Sequence, residues 1–232
     1  PTINPTDILL RRILHSATLF SLYYQDLTGN KNCLRLQQLS TFCKPKVSLE
    51  QYTTPPHLAS QLLTEIQRNY GDIEDCSVAD LGCGSGVLTA GAALLGAAYC
   101  VGFEIDEEAL KIYVENMENL GLTYCEGILC DIIQTKSWDR WRNSFDTVIT
   151  NPPFGTREHG ADMEFVKVGL QLANVVYSLH KSSTRKFVLK NAKESGYTSE
   201  VLAQLKFDLP KSYVFHSKKS VDIYVDLIRS HR

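Results

Sequence analysis

The chain has 232 residues, a formal net charge of −2, and 44% hydrophobic against 22% charged residues. This composition is ordinary for a globular protein and excludes a disordered, collagen-like or coiled-coil chain. The length fits one large domain, with or without a tail, and the net charge gives no polycation that would by itself indicate a nucleic-acid partner.

The charge is unevenly distributed along the chain. Residues 1–155 contain 11 Lys and Arg against 18 Asp and Glu, whereas residues 156–232 contain 13 against 8. On this count alone, a basic surface near the C-terminus and a chance fluctuation are equally good explanations.

The seven cysteines are an odd number and include no C-x-x-C pair. Because disulfide frameworks use even numbers and zinc ribbons use close pairs, we expect free thiols in a reducing compartment and no bound metal. No run of 18 or more apolar residues occurs, so we expect no membrane span.

The N-terminal segment Thr6–Asp26 is rich in apolar residues, carries Arg11 and Arg12, and has few acids. This pattern is compatible with a transit peptide and with a poorly packed extension, and we favour the extension.

After Asn30, short β-rich runs alternate with helical stretches. The predicted strands are Ser77–Leu81, Tyr99–Ile105, Thr123–Cys130, Phe145–Thr150, Val175–His180, Val201–Leu209 and Ser220–Ile228. The predicted helices are Pro55–Tyr70, Val87–Leu95, Glu107–Leu120, Trp138–Arg142, Asp162–Leu172 and Ser183–Ser195. This alternation predicts right-handed crossovers and a mostly parallel, three-layered α/β sheet.

The last two predicted strands differ from the others because only Pro210–Lys219 separates them. That segment is too short for a crossover helix, so we expect an antiparallel hairpin. A Rossmann-like, seven-stranded sheet whose last strand is antiparallel in a C-terminal hairpin resembles the class I S-adenosylmethionine-dependent methyltransferases.

A glycine loop, Gly82–Gly86, joins the first predicted strand to a helix. Glycine lets the backbone turn sharply and approach a ligand closely, but such a turn alone would also suit NAD. Asp80, two residues before the loop, would repel a pyrophosphate and is suited to hold the loop or bind an amino group. The stretch Asp80–Gly86 therefore resembles the S-adenosylmethionine motif more closely than the dinucleotide fingerprint.

Two further acids follow predicted strands. Glu104 lies 22 residues after Gly82, near the spacing of about 20 at which an acid binds a ribose hydroxyl pair. Asp106 is better placed to cap the next helix. Asp131, which follows the third strand beside Ile132, is a weaker candidate for binding an adenine amine, because a surface Asp after a strand is common.

The tetrapeptide Asn151, Pro152, Pro153 and Phe154 ends the fourth predicted strand and should face the same crevice as the glycine loop. An Asn side-chain oxygen and a Pro carbonyl can each accept one N–H of an exocyclic amine, which positions its nitrogen for methylation without a strong base. Phe154 offers a ring on which a flipped-out base can stack.

These residues resemble the amino-methyltransferases that carry an (N/D)PP(Y/F/W) motif. Within them, the chain is similar to the eukaryotic 18S ribosomal RNA N6-adenosine methyltransferases of the methyltransferase-like protein 5 family. The segments that carry this likeness are 50–55, 80–86, 101–110, 145–156, 177–185 and 208–228. We therefore interpret residues 34–232 as a single methyltransferase domain and residues 1–33 as an extension of unknown role.

The resemblance implies N6-methyladenosine formation in small-subunit (18S) ribosomal RNA, with S-adenosylmethionine as cofactor and Asn151–Phe154 as the catalytic residues. The residues that it implies around the cofactor are Gln51, Thr54, Asp80, Gly82, Gly84, Ser85, Val87, Glu104, Ile105, Asp131 and Ile132. This chain has Glu104 where the family usually has Asp, and Ser85 where some relatives have Cys. A longer carboxylate can still accept from both ribose hydroxyls.

The family also implies a heterodimer with a small zinc-binding activator subunit, and residence in the nucleus, including the nucleolus, and in the cytoplasm. An activator would cover an apolar sheet edge, for which Thr123–Cys130 is the candidate strand.

Cations after the fifth strand, in Lys181–Lys186, and at the hairpin tip, Lys211, His216, Lys218 and Lys219, would suit RNA phosphates. Ordinary solvated loops are the alternative explanation. We interpret His180 as a histidine whose hydrogen bonds are satisfied within the fold.

Two other functions stay open at this point. A protein-glutamine N5-methyltransferase acting on a translation release factor shares the Asn-Pro-Pro motif, although that class generally has Tyr where this chain has Phe154. A non-catalytic scaffold is less consistent with cofactor and acceptor motifs that are both intact.

Overall fold

The computed structural model describes residues 31–155, 160–209 and 221–232, which form an α/β fold around one seven-stranded sheet. The strands are β1 (Ser77–Leu81), β2 (Tyr99–Glu104), β3 (Cys125–Leu129), β4 (Thr147–Thr150), β5 (Val175–Lys181), β6 (Thr198–Leu209) and β7 (Val221–His231). Their order across the sheet is β3-β2-β1-β4-β5-β7-β6. β1 to β5 are parallel and β7 is antiparallel to both of its neighbours, so the predicted fold class is confirmed.

Helices cover both faces of the sheet. They are α1 (Pro56–Tyr70), α2 (Val87–Leu94), α3 (Glu107–Asn119), α4 (Ala161–Leu172) and α5 (Arg185–Glu194). Successive strand residues face opposite sides. In β1, for example, Val78 packs into the core under α1 to α3, whereas Ala79 packs into the core under α4. The result is the predicted three-layered arrangement, with both faces of the central strands buried.

The boundaries differ from the predictions where main-chain pairing decides them. The two hairpin strands are longer than predicted at the end where β6 begins and β7 ends, because β6 and β7 stay paired as far as Thr198 and His231. β4 begins after Asp146, whose carboxylate accepts from the N–H and hydroxyl of Ser77 at the start of β1. The predicted helix Trp138–Arg142 is a short 3₁₀ turn, Trp138–Trp141.

Some predictions lie outside the described residues. These are the proposed extension up to residue 30, the last residue of the resemblance segment 145–156, and the predicted hairpin-tip residues Lys211, His216, Lys218 and Lys219. No helix within the described part of the chain is long and apolar enough to cross a bilayer.

Candidate active site

The carboxyl ends of four neighbouring strands meet at one edge of the sheet and carry the predicted site. β1 leads into the glycine loop Gly82–Gly86, β2 ends at Glu104, β3 is followed by Asp131, and β4 is followed by Asn151. Ligands of open α/β sheets bind at this edge, outside the carboxyl ends of the strands. The fold thus brings together residues that are far apart in the sequence.

The glycine loop folds back over the end of β2. The N–H of Gly82 donates to the carbonyl of Phe103 at 2.9 Å. Gly84 and Gly86 have φ of +56° and +87°, in the left-handed region that favours glycine. A Cβ on Gly86 would also lie 2.7 Å from the ring of Tyr113, so this position has no room for a side chain. The loop can therefore keep its backbone against the cleft while α2 begins at the next residue.

Asp80 lies beneath the loop and is 1% exposed. Its Oδ2 accepts from the N–H and the hydroxyl of Thr89, at 3.1 and 2.7 Å, which ties β1 to the first turn of α2. Its buried Oδ1 has no hydrogen-bond partner among the described residues. Burial raises the pKa of Asp80 to about 7, although the hydrogen bonds from Thr89 oppose the shift. A buried carboxylate with one unpaired oxygen is suited to accept from a cationic ligand group.

Glu104 is buried at the end of β2 and organises the surrounding backbone. Its Oε2 accepts from the N–H of Gly84, and its Oε1 accepts from the N–H groups of Ile105 and Asp106, all at 2.9 Å. Burial raises the pKa of Glu104, while these three hydrogen bonds act in the opposite direction. The longer side chain thus reaches back to the glycine loop and still lines the cleft. Asp106 accepts from the N–H of Glu108 and caps α3, as predicted.

Asp131 and Ile132 form the turn after β3. Asp131 Oδ1 accepts from the N–H groups of Ile133 and Gln134, both at 2.9 Å, so this oxygen holds the turn in place. Ile132 is buried, and its carbonyl accepts from the indole N–H of Trp138 at 3.1 Å. The turn therefore presents one carboxylate and one apolar side chain to the cleft.

The segment before α1 covers the cleft. The ring of Phe42 approaches Gly84 so closely that a Cβ there would lie 3.0 Å from it. Gln51 accepts from the N–H of Lys46 at 2.8 Å and donates to Asp106 at 2.6 Å. Lys46 also pairs with Asp106 at 2.6 Å. Burial raises the pKa of Asp106, but hydrogen bonds from Lys46 and Gln51 outweigh this effect and hold the pKa below its usual value. Gln51 lines the cleft, but its amide groups are used to fasten this segment.

Asn151 lies at the tip of β4, where two partners hold its side chain. The Tyr52 hydroxyl donates to Asn151 Oδ1 at 2.8 Å, and Asn151 Nδ2 donates to Thr54 Oγ1 at 2.9 Å. The Phe154 ring lies 5.1 Å from the Tyr52 ring, and the Lys181 ammonium lies 5.6 Å from the centre of the Phe154 ring. The tip thus joins an oriented amide to a small aromatic surface with a cation beside it.

Two adjoining cavities connect these features. The larger, of about 190 Å³, is lined by Gln51, Gly82, Gly84, Glu104, Ile105, Asp131, Ile132, Asn151 and Pro153, among others. The smaller, of about 30 Å³, is lined by Thr54, Asp80, Gly82, Gly84, Ser85, Val87 and Asn151, among others. Every residue predicted to bind cofactor therefore lines one cavity or the other. Pro152 and Phe154 line neither; Pro152 is buried behind the tip and Phe154 flanks it.

The chain is similar in sequence to known methyltransferases. The family described as "Methyltransferase small domain" matches residues 57–174. The Danio rerio protein named rRNA N(6)-adenosine-methyltransferase METTL5 is 50% identical over 84% of this chain and 94% of its own length. The Drosophila melanogaster protein of the same name is 45% identical over 84% and 92%.

The chain belongs to the METTL5 family of methyltransferases. Its fold is also similar to a crystal structure from Pyrococcus horikoshii described as a candidate RNA methyltransferase, with a TM-score of 0.77 and 36% identity over 88% of this chain and 97% of that one. The chain is accordingly an enzyme that transfers methyl groups.

Several residues of this METTL5-family site were not predicted. Phe42, in the segment before α1, and Phe165, in α4, line the cleft, and no local pattern marks them. Tyr52 lies within a segment that carries the family resemblance, but nothing in that segment shows that it contacts Asn151. Cys130 and Ile133 flank the predicted Asp131 and Ile132, and proximity in sequence was the available signal.

The structure gives one cation of the predicted basic segment Lys181–Lys186, Arg185, a contact within the fold. Arg185 is paired with Asp226, which is fully buried, through Nε at 2.6 Å and Nη2 at 2.7 Å. A guanidinium held in this way by a buried carboxylate stabilises the fold, and the Arg185 side chain is nevertheless 40% exposed. Lys181 and Lys186 are the other two cations of the segment, and its contact with RNA stays a prediction.

His180 is satisfied within the fold, as predicted. Its Nδ1 lies 3.0 Å from Asp162 Oδ2 and its Nε2 lies 2.9 Å from Ser178 Oγ. This Ser-His-Asp chain resembles a hydrolase triad, but Ser178 and His180 are at most 1% exposed. No substrate reaches them, so in this METTL5-family enzyme the three side chains tie β5 to the start of α4. Within the described residues, no group of three or more His, Cys, Asp or Glu side chains could hold a metal ion.

Proposed function

We propose that this enzyme transfers a methyl group from S-adenosylmethionine to N6 of an adenosine in small-subunit (18S) ribosomal RNA. The observation that carries the proposal is the position of Asn151, which lines both cavities next to the glycine loop. An amine bound at Asn151 and a methyl donor bound at the loop would occupy one cleft. The relatives named as rRNA N(6)-adenosine-methyltransferases supply the substrate class.

The cleft residues fit the cofactor by their chemistry. The unpaired Asp80 Oδ1 is suited to the cationic amino group, and Asp131 with Ile132 to the adenine amine and ring. Glu104 Oε2, which among the described residues accepts only from Gly84, is suited to a ribose hydroxyl. Glycine at position 84 lets the Phe42 ring approach the loop beside the cleft, because a Cβ there would lie 3.0 Å from that ring. When bound, S-adenosylmethionine supplies an electrophilic methyl group on a positively charged sulfur.

Asn151 and the proline carbonyl beside it would orient the acceptor. Each accepts one N–H of the exocyclic amine, which directs the nitrogen lone pair at the methyl carbon. These oxygens would stabilise the positive charge that develops on the acceptor nitrogen during methyl transfer, until a proton leaves to water. Phe154 would support the base after it leaves its stack.

RNA would approach over the basic edge beside this tip. Lys181 lies next to Phe154, and the exposed Lys186 follows in the same segment. Lysines near a base pocket bind phosphates without selecting sequence, so the target adenosine would be chosen by RNA shape and by the partner.

The zinc-binding activator would pair with β3. This strand lies at the margin of the sheet with a partner on one side, and Leu129 is 55% exposed. An exposed edge of this kind is a site for association. Residence in the nucleus, including the nucleolus, and in the cytoplasm would follow the path of the ribosomal RNA.

The test offers both acceptor classes to one preparation. The full chain, purified with a zinc-binding activator subunit, is incubated with S-adenosylmethionine carrying a labelled methyl group, and with total RNA or a translation release factor. Nucleoside mass spectrometry should find labelled N6-methyladenosine in small-subunit RNA. Label in a release-factor glutamine would refute the RNA assignment, and no label in either acceptor would refute methyl transfer by this site.

A further inference from the structure

The side chain of Asn151 is held at both ends by residues that come from the segment before α1. The Tyr52 hydroxyl lies 2.8 Å from Oδ1, and Thr54 Oγ1 lies 2.9 Å from Nδ2. Thr54 is 5% exposed, and the Tyr52 ring packs 5.1 Å from the Phe154 ring, so packing fixes both partners. Two hydroxyls, 99 and 97 residues away in sequence, thus bracket one amide.

The direction of this amide decides what Asn151 can do. An Asn side chain has an acceptor at one end and two donors at the other, and the two ends have almost the same shape. The amine that receives the methyl group has N–H donors. It can therefore bind the amide oxygen of Asn151 but is repelled by the NH₂ end. A 180° rotation of the Asn151 amide group would therefore put the NH₂ group where the oxygen must be, while leaving the fold unchanged.

The chemistry of the two hydroxyls favours one direction. The lone pair of a phenol oxygen is conjugated with its ring, which makes Tyr a good donor and a poor acceptor. The aliphatic hydroxyl of Thr is the better acceptor. The observed pairing, in which Tyr52 donates to Oδ1 and Thr54 accepts from Nδ2, therefore keeps the oxygen on the side of the Tyr52 and Phe154 rings. Oδ1 has a second lone pair for the incoming amine.

We propose that Tyr52 and Thr54 are positioning residues that fix Asn151 with its oxygen toward the acceptor. The proposal rests on the proposed function of Asn151 as the acceptor-amine site. Its consequence is that each hydroxyl affects the methyl-transfer step, although neither needs to touch the substrate.

The experiment removes each hydroxyl while keeping its shape. Tyr52→Phe keeps the ring beside Phe154, and Thr54→Val keeps the size of the side chain. Each variant should lower kcat by about three- to tenfold, the effect of removing one neutral hydrogen bond. The cofactor Kd is measured separately, because Thr54 is also among the residues implied around the cofactor, and the loss in kcat should exceed any change in that Kd. Thr54→Ser keeps an acceptor oxygen and should restore most of the kcat that Thr54→Val loses.

The matched control is Tyr70→Phe, which removes a hydroxyl that contacts Glu200, remote from the cleft, at 3.4 Å. Thermal unfolding of each variant separates a folding defect from a catalytic one. Wild-type kcat in Tyr52→Phe, or failure of Thr54→Ser to exceed Thr54→Val, would overturn the proposal. Asn151→Ala in the same series distinguishes failure of this proposal from failure of the proposed function. If that variant stays active, the proposed acceptor site itself is wrong.

Discussion

The unpaired oxygen of Asp80 leads to a prediction about cofactor binding and pH. In the free protein, burial raises the pKa of Asp80 to about 7 from an ordinary value of 3.8, a shift that corresponds to roughly 4 kcal/mol against ionisation. A bound ammonium group favours the carboxylate, so binding below pH 7 must release a proton. Affinity for S-adenosylmethionine should therefore rise with pH up to about 7.

The magnitude follows from proton linkage. Below pH 7 the Kd should increase by about tenfold for each pH unit, until the pKa of Asp80 in the complex is reached. Above pH 8 the affinity should fall again, because the ligand's own amino group loses its proton at a pKa of roughly 7.7–8.0. The predicted profile is a bell with its maximum between about pH 7 and 8.

Asp80→Asn tests whether Asp80 causes the ascending limb. The amide can still accept from Thr89 but carries no charge, so affinity at pH 7.5 should fall by about 1.5–3 kcal/mol, and the dependence between pH 5.5 and 7 should disappear. Isothermal titration calorimetry at half-unit pH steps measures both effects. Asp75→Asn is the control, because Asp75 is exposed and its φ of +59° suits Asn as well as Asp. A wild-type Kd that stays flat from pH 5.5 to 7, or an Asp80→Asn variant that binds like wild type, would refute the reasoning.

Three other predictions concern Glu104 and the basic edge. Glu104→Ala should weaken cofactor affinity by about 1–3 kcal/mol. The same variant should lower the unfolding temperature, because it removes the hydrogen-bond acceptor for three backbone N–H groups. An unchanged Kd would exclude Glu104 from the site. Arg185→Ala should lower the unfolding temperature by leaving buried Asp226 without its cationic partner, whereas Lys186→Ala should not. Equal melting curves for the two variants would contradict the distinction. Lys181→Glu with Lys186→Glu should weaken RNA binding. The slope of log K against log salt concentration should decrease in magnitude by about 0.7 for each phosphate that is no longer neutralised. An unchanged slope in a binding titration would exclude this edge from the RNA contact.

The sequence predicted those features that depend on local patterns. Strand–helix alternation, the glycine loop and the acid before α3 each depend on neighbouring residues, and β1 has the predicted bounds, Ser77–Leu81. The site residues that follow each strand could also be predicted, because the carboxyl ends of parallel strands share one edge of the sheet.

Contacts between distant segments could not be predicted in this way. Tyr52 beside Asn151, Phe42 against Gly84 and Arg185 on Asp226 depend on how the chain folds back on itself. Arg185 shows the consequence most clearly: in the sequence it is one cation among several, and only the buried Asp226 assigns it to the fold.

The central claim is that Asn151 binds the acceptor amine and does not hold the cofactor. Asn151→Ala with the activator subunit should reduce single-turnover methyl transfer to small-subunit RNA by about 100-fold or more, while the Kd for S-adenosylmethionine stays within about twofold of wild type. Asn69→Ala, on the exposed surface of α1, is the matched control. Methyl transfer at the wild-type rate, or a parallel loss of transfer and cofactor binding, would contradict the account.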